Sequence, residues 1–193
     1  YPASITKIMT GMLALEKGDL SQTVTMSEEA VFSIDRSSAH IALDVDEEIT
    51  LEQALYALAI ASANEAANGI AETVSGSVAD FAKEMNQTAV EAGGENTNFT
   101  NPNGLHDDNH YTTAYDMAKI TAAALQNPKF AEIFGTEKYD IPPTNKQAET
   151  RSMWPRNKFI NGAYAYDGIL LSKTGWTEEA KYTLVTAAQR GDR

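Results

Sequence analysis

Apolar residues recur at helical spacing over most of the chain and then give way, near its end, to two strand-like segments. This change of period constrains the fold more than any other feature. Ile5, Ile8, Met9, Met12, Leu13 and Leu15 mark a buried helix from Ser4 to Lys17, with Gly18 offering a left-handed stop. Thr50-Leu51-Glu52-Gln53 has the form of a capping box, in which threonine and glutamine satisfy each other's free amides, so a helix should run from Leu51 to about Ala61. After a break at Ser62-Ala63-Asn64, helices are expected over Glu65–Val74 and Val78–Ala92, the second ended by Gly93-Gly94. Asn96–Tyr111 reads as a long loop, Thr113 and Asp116 as the start of a helix to Gln126, and the residues past Pro128 as a short helix. Thr23–Met26 is β-like, and the segment Tyr139–Ile141 precedes a polar stretch, Pro142–Met153. Gly168–Lys173 and Lys181–Ala188 look like two strands around a turn near Thr177-Glu178-Glu179. Helices in the middle and a terminal strand pair give α+β layering.

With 193 residues the chain suits one domain, or a main domain with a small lobe. Fifteen Lys and Arg against 27 Asp and Glu leave a net charge of −12, which argues against nucleic acid or anionic lipid as a partner. The acidic run Asp44–Glu48 reads as solvated surface. With no cysteine there is no disulfide, thiolate nucleophile or cysteine metal cluster. No apolar run reaches the roughly 18 residues of a membrane helix, and Tyr1-Pro2-Ala3-Ser4 lacks the charged and apolar regions of a signal peptide.

Three short patterns could carry chemistry. Ser4-Ile5-Thr6-Lys7 puts a hydroxyl and an amine three residues apart, on one face of a helix. Such a lysine can accept the serine's proton if burial and a second cation depress its pKa. Alternatively, Ser4 is an ordinary N-cap and Lys7 a snorkelling surface lysine, although a capping box would want Glu or Gln at that place. Ser62-Ala63-Asn64, at a turn between helices, could aim a hydroxyl and an amide the same way; the alternative is a plain helix break capped by Asn64. Lys173-Thr174-Gly175, at a strand end, offers a fixed cation for a carboxylate, a hydroxyl, and a glycine permitting close approach; the alternative is a solvent-facing lysine before a turn. Chance would give all three in this order with a probability on the order of one in a hundred or less.

The same three elements, with a Ser-Asp-Asn variant of the second, occur in class A β-lactamases and penicillin-binding proteins. The likeness extends to Pro2-Ala3-Ser4-Ile5-Thr6-Lys7-Ile8-Met9-Thr10, to Asn103-Gly104-Leu105 leading to His110-Tyr111-Thr112-Thr113-Ala114, and to Asp167-Gly168 before Lys173-Thr174-Gly175-Trp176-Thr177. Over essentially its whole length the chain resembles the low-molecular-mass penicillin-binding proteins, the serine D-alanyl-D-alanine carboxypeptidases. The resemblance implies a β-lactamase/transpeptidase-like α+β fold: an antiparallel sheet with helices on both faces, and a mostly helical lobe, about residues 19–153, inserted between the Ser4 helix and the 168–188 strands. It also implies an incomplete catalytic domain, because the family's strands before the serine and helix after the last strands do not fit within residues 1–193. Signal peptide, C-terminal β-rich domain and membrane anchor would be absent as well.

By position, the resemblance makes Ser4 the nucleophile, Lys7 its proton acceptor and Ser62 the proton shuttle toward the leaving amine. Asn64 would hold the substrate amide, and Lys173 with Thr174 the terminal carboxylate. Lys173 would also lower the pKa of Lys7. The backbone amides of Ser4 and Trp176 would form an oxyanion hole beside Gly175, with Thr177 and Arg156 as further carboxylate contacts. The chain departs from the family's usual Ala-Gly at Ala180-Lys181, where a bulky charge would either crowd the last strand or face solvent. The implied partners are a peptidoglycan pentapeptide and β-lactams, without cofactor or metal, acting as a monomer outside the cytoplasmic membrane. Membrane contact would be made only through segments outside this chain. His106 and His110, spaced by four beside Asp107 and Asp108, could ligate zinc, but on a loop that spacing has no helical meaning and the resemblance accounts for His110 without a metal; the sequons at Asn86 and Asn98 are read as coincidence. Two alternatives remain: a serine β-lactamase, against which stands the lack of a Glu-x-x-Leu-Asn element, and a non-catalytic β-lactam sensor or peptide-binding domain.

Overall fold

The computed structural model describes residues 1–191. A single 3₁₀ turn, Ala3–Thr6, runs directly into α1 (Lys7–Lys17), so the expected first helix is present with its opening turn wound tighter. The chain leaves α1 at Gly18, which is extended (φ −92°, ψ 154°) and not left-handed. Glycine is needed there for room: a Cβ would collide with Leu51 and lie 2.9 Å from the Ala14 carbonyl. β1 (Thr23–Thr25) and β2 (Glu48–Thr50) pair antiparallel around α2 (Glu28–Phe32). The Thr50/Gln53 capping box forms as read and starts α3 (Leu51–Tyr56).

After α3 the backbone widens to a π-wound segment, Ala57–Ala61, and stops at Ser62 in the left-handed region (φ 58°). Non-helical windings of this kind cluster at functional sites, because only surrounding structure keeps them in place. The chain then runs through α4 (Asn64–Ser75) and α5 (Val78–Glu91). After the long loop come α6 (Ala114–Ala124), capped by Thr113, and α7 (Pro128–Phe134). β3 (Tyr139–Ile141) pairs with β4 (Arg151–Met153), a strand inside the stretch that reads as merely polar. β5 (Ile169–Thr177) and β6 (Lys181–Ala188) form the last antiparallel hairpin. Lys181 turns into it with a left-handed backbone (φ 58°) and faces solvent, so it does not crowd the strand.

The α+β organisation is thus as expected. One apolar core runs through the molecule from Ile5, Ile8, Met9 and Leu13 of the first helix to Leu171 of β5. The 3₁₀ turn and α7 pack against β5, which makes α1 and the last hairpin a joint frame for whatever lies between them.

The acidic run is not simply solvated. Glu47 is wholly buried and receives two N–H bonds from Arg151 of β4, at 2.6 and 2.9 Å, while Arg151 also donates to the Ala42 carbonyl. This pair fastens the 42–47 loop to the β3–β4 hairpin. Among the described residues no helix is long and apolar enough to cross a membrane.

Candidate active site

Three chain segments meet at one cleft: the 3₁₀ turn with the start of α1, the left-handed corner before α4, and β5. Because α1 starts at Lys7, three residues after Ser4, the lysine side chain turns back over the serine, and Lys7 Nζ lies 3.1 Å from Ser4 Oγ. The same nitrogen is 2.6 Å from Asn64 Oδ1 and 2.5 Å from the main-chain oxygen of Asn103. The left-handed turn at Ser62 breaks the helix, so Ser62 and Asn64 project together into this space. Lys173 Nζ, arriving from β5, donates to Ser62 Oγ at 2.9 Å and to the Thr174 carbonyl at 3.0 Å. Two hydrogen-bonded groups, Ser4–Lys7–Asn64 and Ser62–Lys173, therefore face each other, with the Lys173 charge felt at Lys7.

The approach of β5 to the serine is close. A Cβ on Gly175 would collide with Thr183 and come within 2.8 Å of the Ser4 amide nitrogen, so only glycine lets the strand lie there. Thr183 Oγ1 also donates to the Pro2 carbonyl, tying the residues before the serine to β6. On the other side, Gly104 (φ +83°) fits under Ala3 because any Cβ there would strike the Ala3 carbonyl. That contact holds Asn103 against Lys7. Asn103 Nδ2 donates to Asn68 Oδ1, and Asn68 Nδ2 donates to Ser33 Oγ, so the loop is tied to α4.

Electrostatics follow from burial. Lys7 is completely enclosed, and desolvation holds its pKa well below the ordinary lysine value. The Lys173 charge pushes in the same direction, while Glu65 of α4 opposes both. Lys173 is itself buried, which lowers its pKa to about 7. His110, buried behind the serine, is lowered to about 4, chiefly by desolvation. Its Nδ1 accepts the Thr100 amide at 3.0 Å, which leaves Nε2–H to donate to Thr6 Oγ1 at 2.8 Å. Both ring nitrogens are thereby used in holding the loop to the turn between Ser4 and Lys7. His106 faces elsewhere, packed edge-on against Tyr1 and 4.0 Å from Glu179.

The remaining expected residues lie at the rim. Thr174 and Trp176 alternate to the exposed side of β5, with Trp176 58% exposed beside Tyr182. Thr177 Oγ1 accepts the Ala180 amide at the hairpin turn. Arg156 is exposed, and no hydrogen bond or ion pair among the described residues joins it to the cluster. Its neighbour Asn157 is buried and donates to Ser172 Oγ, bracing β5. Sequence reasoning missed the Asn103 carbonyl, Glu65 and Ser38, which lies behind Asn64. Of these only Asn103 carried a signal, the glycine after it.

A half-buried serine beside a fully enclosed lysine at the start of a helix, flanked by a second hydroxyl and a buried lysine from a strand, is the kind of arrangement that can activate a hydroxyl for nucleophilic attack. All of residues 1–193 match the D-alanyl-D-alanine carboxypeptidase family, and the chain belongs to it. It is 40% identical over 199 residues to the D-alanyl-D-alanine carboxypeptidase DacF of Bacillus subtilis, covering 99% of this chain and 48% of that protein. Among solved structures it matches a D-alanyl-D-alanine carboxypeptidase from Mycobacterium tuberculosis with a TM-score of 0.88 at 29% identity, covering 98% of this chain and 69% of the other. A Streptomyces DD-transpeptidase superposes with a TM-score of 0.87 at 30% identity, covering 98% and 76%. The chain spans about half the length of DacF.

Proposed function

We propose that this chain carries the acylation centre of a serine D-alanyl-D-alanine carboxypeptidase acting on peptidoglycan stem peptides outside the cytoplasmic membrane. On this reading Ser4 Oγ attacks the carbonyl of the penultimate D-alanine as its proton passes to Lys7. Ser62, held by Lys173, delivers a proton to the departing D-alanine amine, and water later frees the shortened peptide from the serine. The amides of Ser4 and Trp176 would stabilise the oxyanion, a contribution typically of about 3 kcal/mol per donor. Lys173 and Thr174, with Thr177 and Arg156 at the rim, would receive the terminal carboxylate, and Asn64 the substrate amide. Residues 19–153 would form the lobe that closes the cleft opposite β5.

The observation that carries this reading is the fully enclosed Lys7 amine, its pKa held well below the ordinary lysine value by burial, 3.1 Å from Ser4 Oγ. A lysine that stayed an ammonium could not take the serine's proton. The test is incubation with benzylpenicillin followed by mass spectrometry. A stoichiometric, persistent adduct that maps to Ser4 and vanishes in Ser4→Ala is expected, together with release of D-alanine from a diacyl-D-Ala-D-Ala peptide. Rapid turnover of the drug would assign a β-lactamase instead, and an adduct without D-alanine release a sensor.

A further inference from the structure

Lys7 meets two oxygens that can only accept, Asn64 Oδ1 and the Asn103 carbonyl, and one that can do both, Ser4 Oγ. A neutral amine has two N–H groups and one lone pair. If the N–H groups go to the two carbonyl oxygens, the lone pair is left facing the serine hydroxyl. This holds only while Asn64 presents its oxygen. Turned over, it would present its NH₂ group, and the lone pair of Lys7 would be drawn to that donor and away from Ser4.

The orientation of Asn64 is decided one step further back. Asn64 Nδ2 lies 3.0 Å from Ser38 Oγ. A serine hydroxyl could serve either orientation, but the single proton of Ser38 is already committed, because its Oγ donates to the Asp35 carbonyl at 2.5 Å. Ser38 can therefore only accept, and what it accepts must be an N–H of Asn64. The segment is clamped in place by two further bonds, Asn64 N to the Ala39 carbonyl at 2.9 Å and Ile41 N to Glu65 Oε1 at 2.7 Å.

We propose that Ser38 is a positioning residue for the acylation reaction: by accepting from Asn64 it fixes the polarity of a chain running from the Asp35 carbonyl through Ser38, Asn64 and Lys7, and so aims the lone pair of Lys7 at Ser4. The inference rests on the acyl-serine reading above and adds a residue that touches neither substrate nor nucleophile. The titratable and charged groups facing Lys7 are Lys173 from β5, Glu65 from α4 and His110 from the long loop. None of them is altered by a change at Ser38.

The test measures the acylation rate with benzylpenicillin against pH for the wild-type chain, Ser38→Ala and Ser38→Thr, with melting temperatures alongside. Ser38→Ala should lower the plateau rate about tenfold, the usual worth of one hydrogen bond. It should also move the acid limb to lower pH, since an ammonium facing an NH₂ group is disfavoured. Ser38→Thr, which keeps the hydroxyl, should restore both. An unchanged rate and limb in Ser38→Ala, beside a wild type that acylates, overturns the inference alone. So does a limb moved to higher pH, the mark of a loosened cleft that rehydrates Lys7. A wild-type chain that takes no adduct overturns the acyl-serine reading and this inference with it. In the wild type itself the Asn64 side-chain amide protons should exchange slowly with solvent; exchange at the free rate would contradict the bond to Ser38.

Discussion

Glu47 and Lys7 are both wholly buried, and the protein deals with them in opposite ways. Burial alone would raise the pKa of Glu47, but bonds from Arg151, Thr144 and the Asp44 amide outweigh it and hold the carboxyl ionised below its ordinary range. Among the described residues no carboxylate bonds to Lys7. Its partners are neutral oxygens, and burial first and the Lys173 charge second lower its pKa well below the ordinary lysine value. The first arrangement holds a loop in place, and the second weakens the amine's hold on its proton beside Ser4. What a buried ionisable group is for can thus be read from whether its neighbours complete its charge or suppress it.

Three measurements probe this contrast, the largest effect first. Arg151→Ala should strand the Glu47 charge and cost about 3–5 kcal/mol in chemical denaturation, whereas breaking the exposed Lys83–Asp80 pair should barely move stability. If the two cost the same, Glu47 is not sealed as described. His110 is a second group kept uncharged, and its folded pKa of about 4 lies below the ordinary 6.5. The unfolded chain therefore takes up the proton first. Its stabilising effect is complete above pH 6.5 and is lost as the pH falls from 6.5 toward 4, by up to about 3 kcal/mol. A pH series of unfolding free energies that loses this slope in a His110→Gln variant would bear this out, and a slope that persists unchanged would assign it elsewhere. Lys173→Met should be the mildest for the fold, gaining about 1–2 kcal/mol because a desolvated cation is replaced by an apolar group. The same variant should lose its hold on a peptide's terminal carboxylate. A variant less stable than the parent would mean that the bonds to Ser62 and Thr174 outweigh desolvation.

Legibility in the sequence followed the range of the interaction. Ser4 with Lys7, Thr50 with Gln53 and Thr113 with Asp116 are three residues apart, and local spacing sufficed to pair them. The convergence of Ser62 and Lys173 came from the family resemblance, since nothing near either residue points across the 111 positions between them. Arg151 and Glu47 are 104 positions apart, and an acid inside an acidic run looks solvated until the cation that matches it is found. Gly18 was legible as a stop but not for its reason, which is contact with Leu51 and not backbone handedness. Ser38 left no local trace at all, because its role depends on where a third residue spends its hydrogen bonds.

Gly175 pressed against the Ser4 amide, with Thr183 bound to the Pro2 carbonyl, means that Ser4 is seated by the terminal hairpin as much as by its own helix. A compound that pried this hairpin a few tenths of an ångström away from the serine would misalign the Ser4 and Trp176 amides proposed to hold an oxyanion, without entering the cleft itself. Such a compound would act by wedging and not by filling the cleft, and the glycine it exploits could not be exchanged without blocking the strand itself.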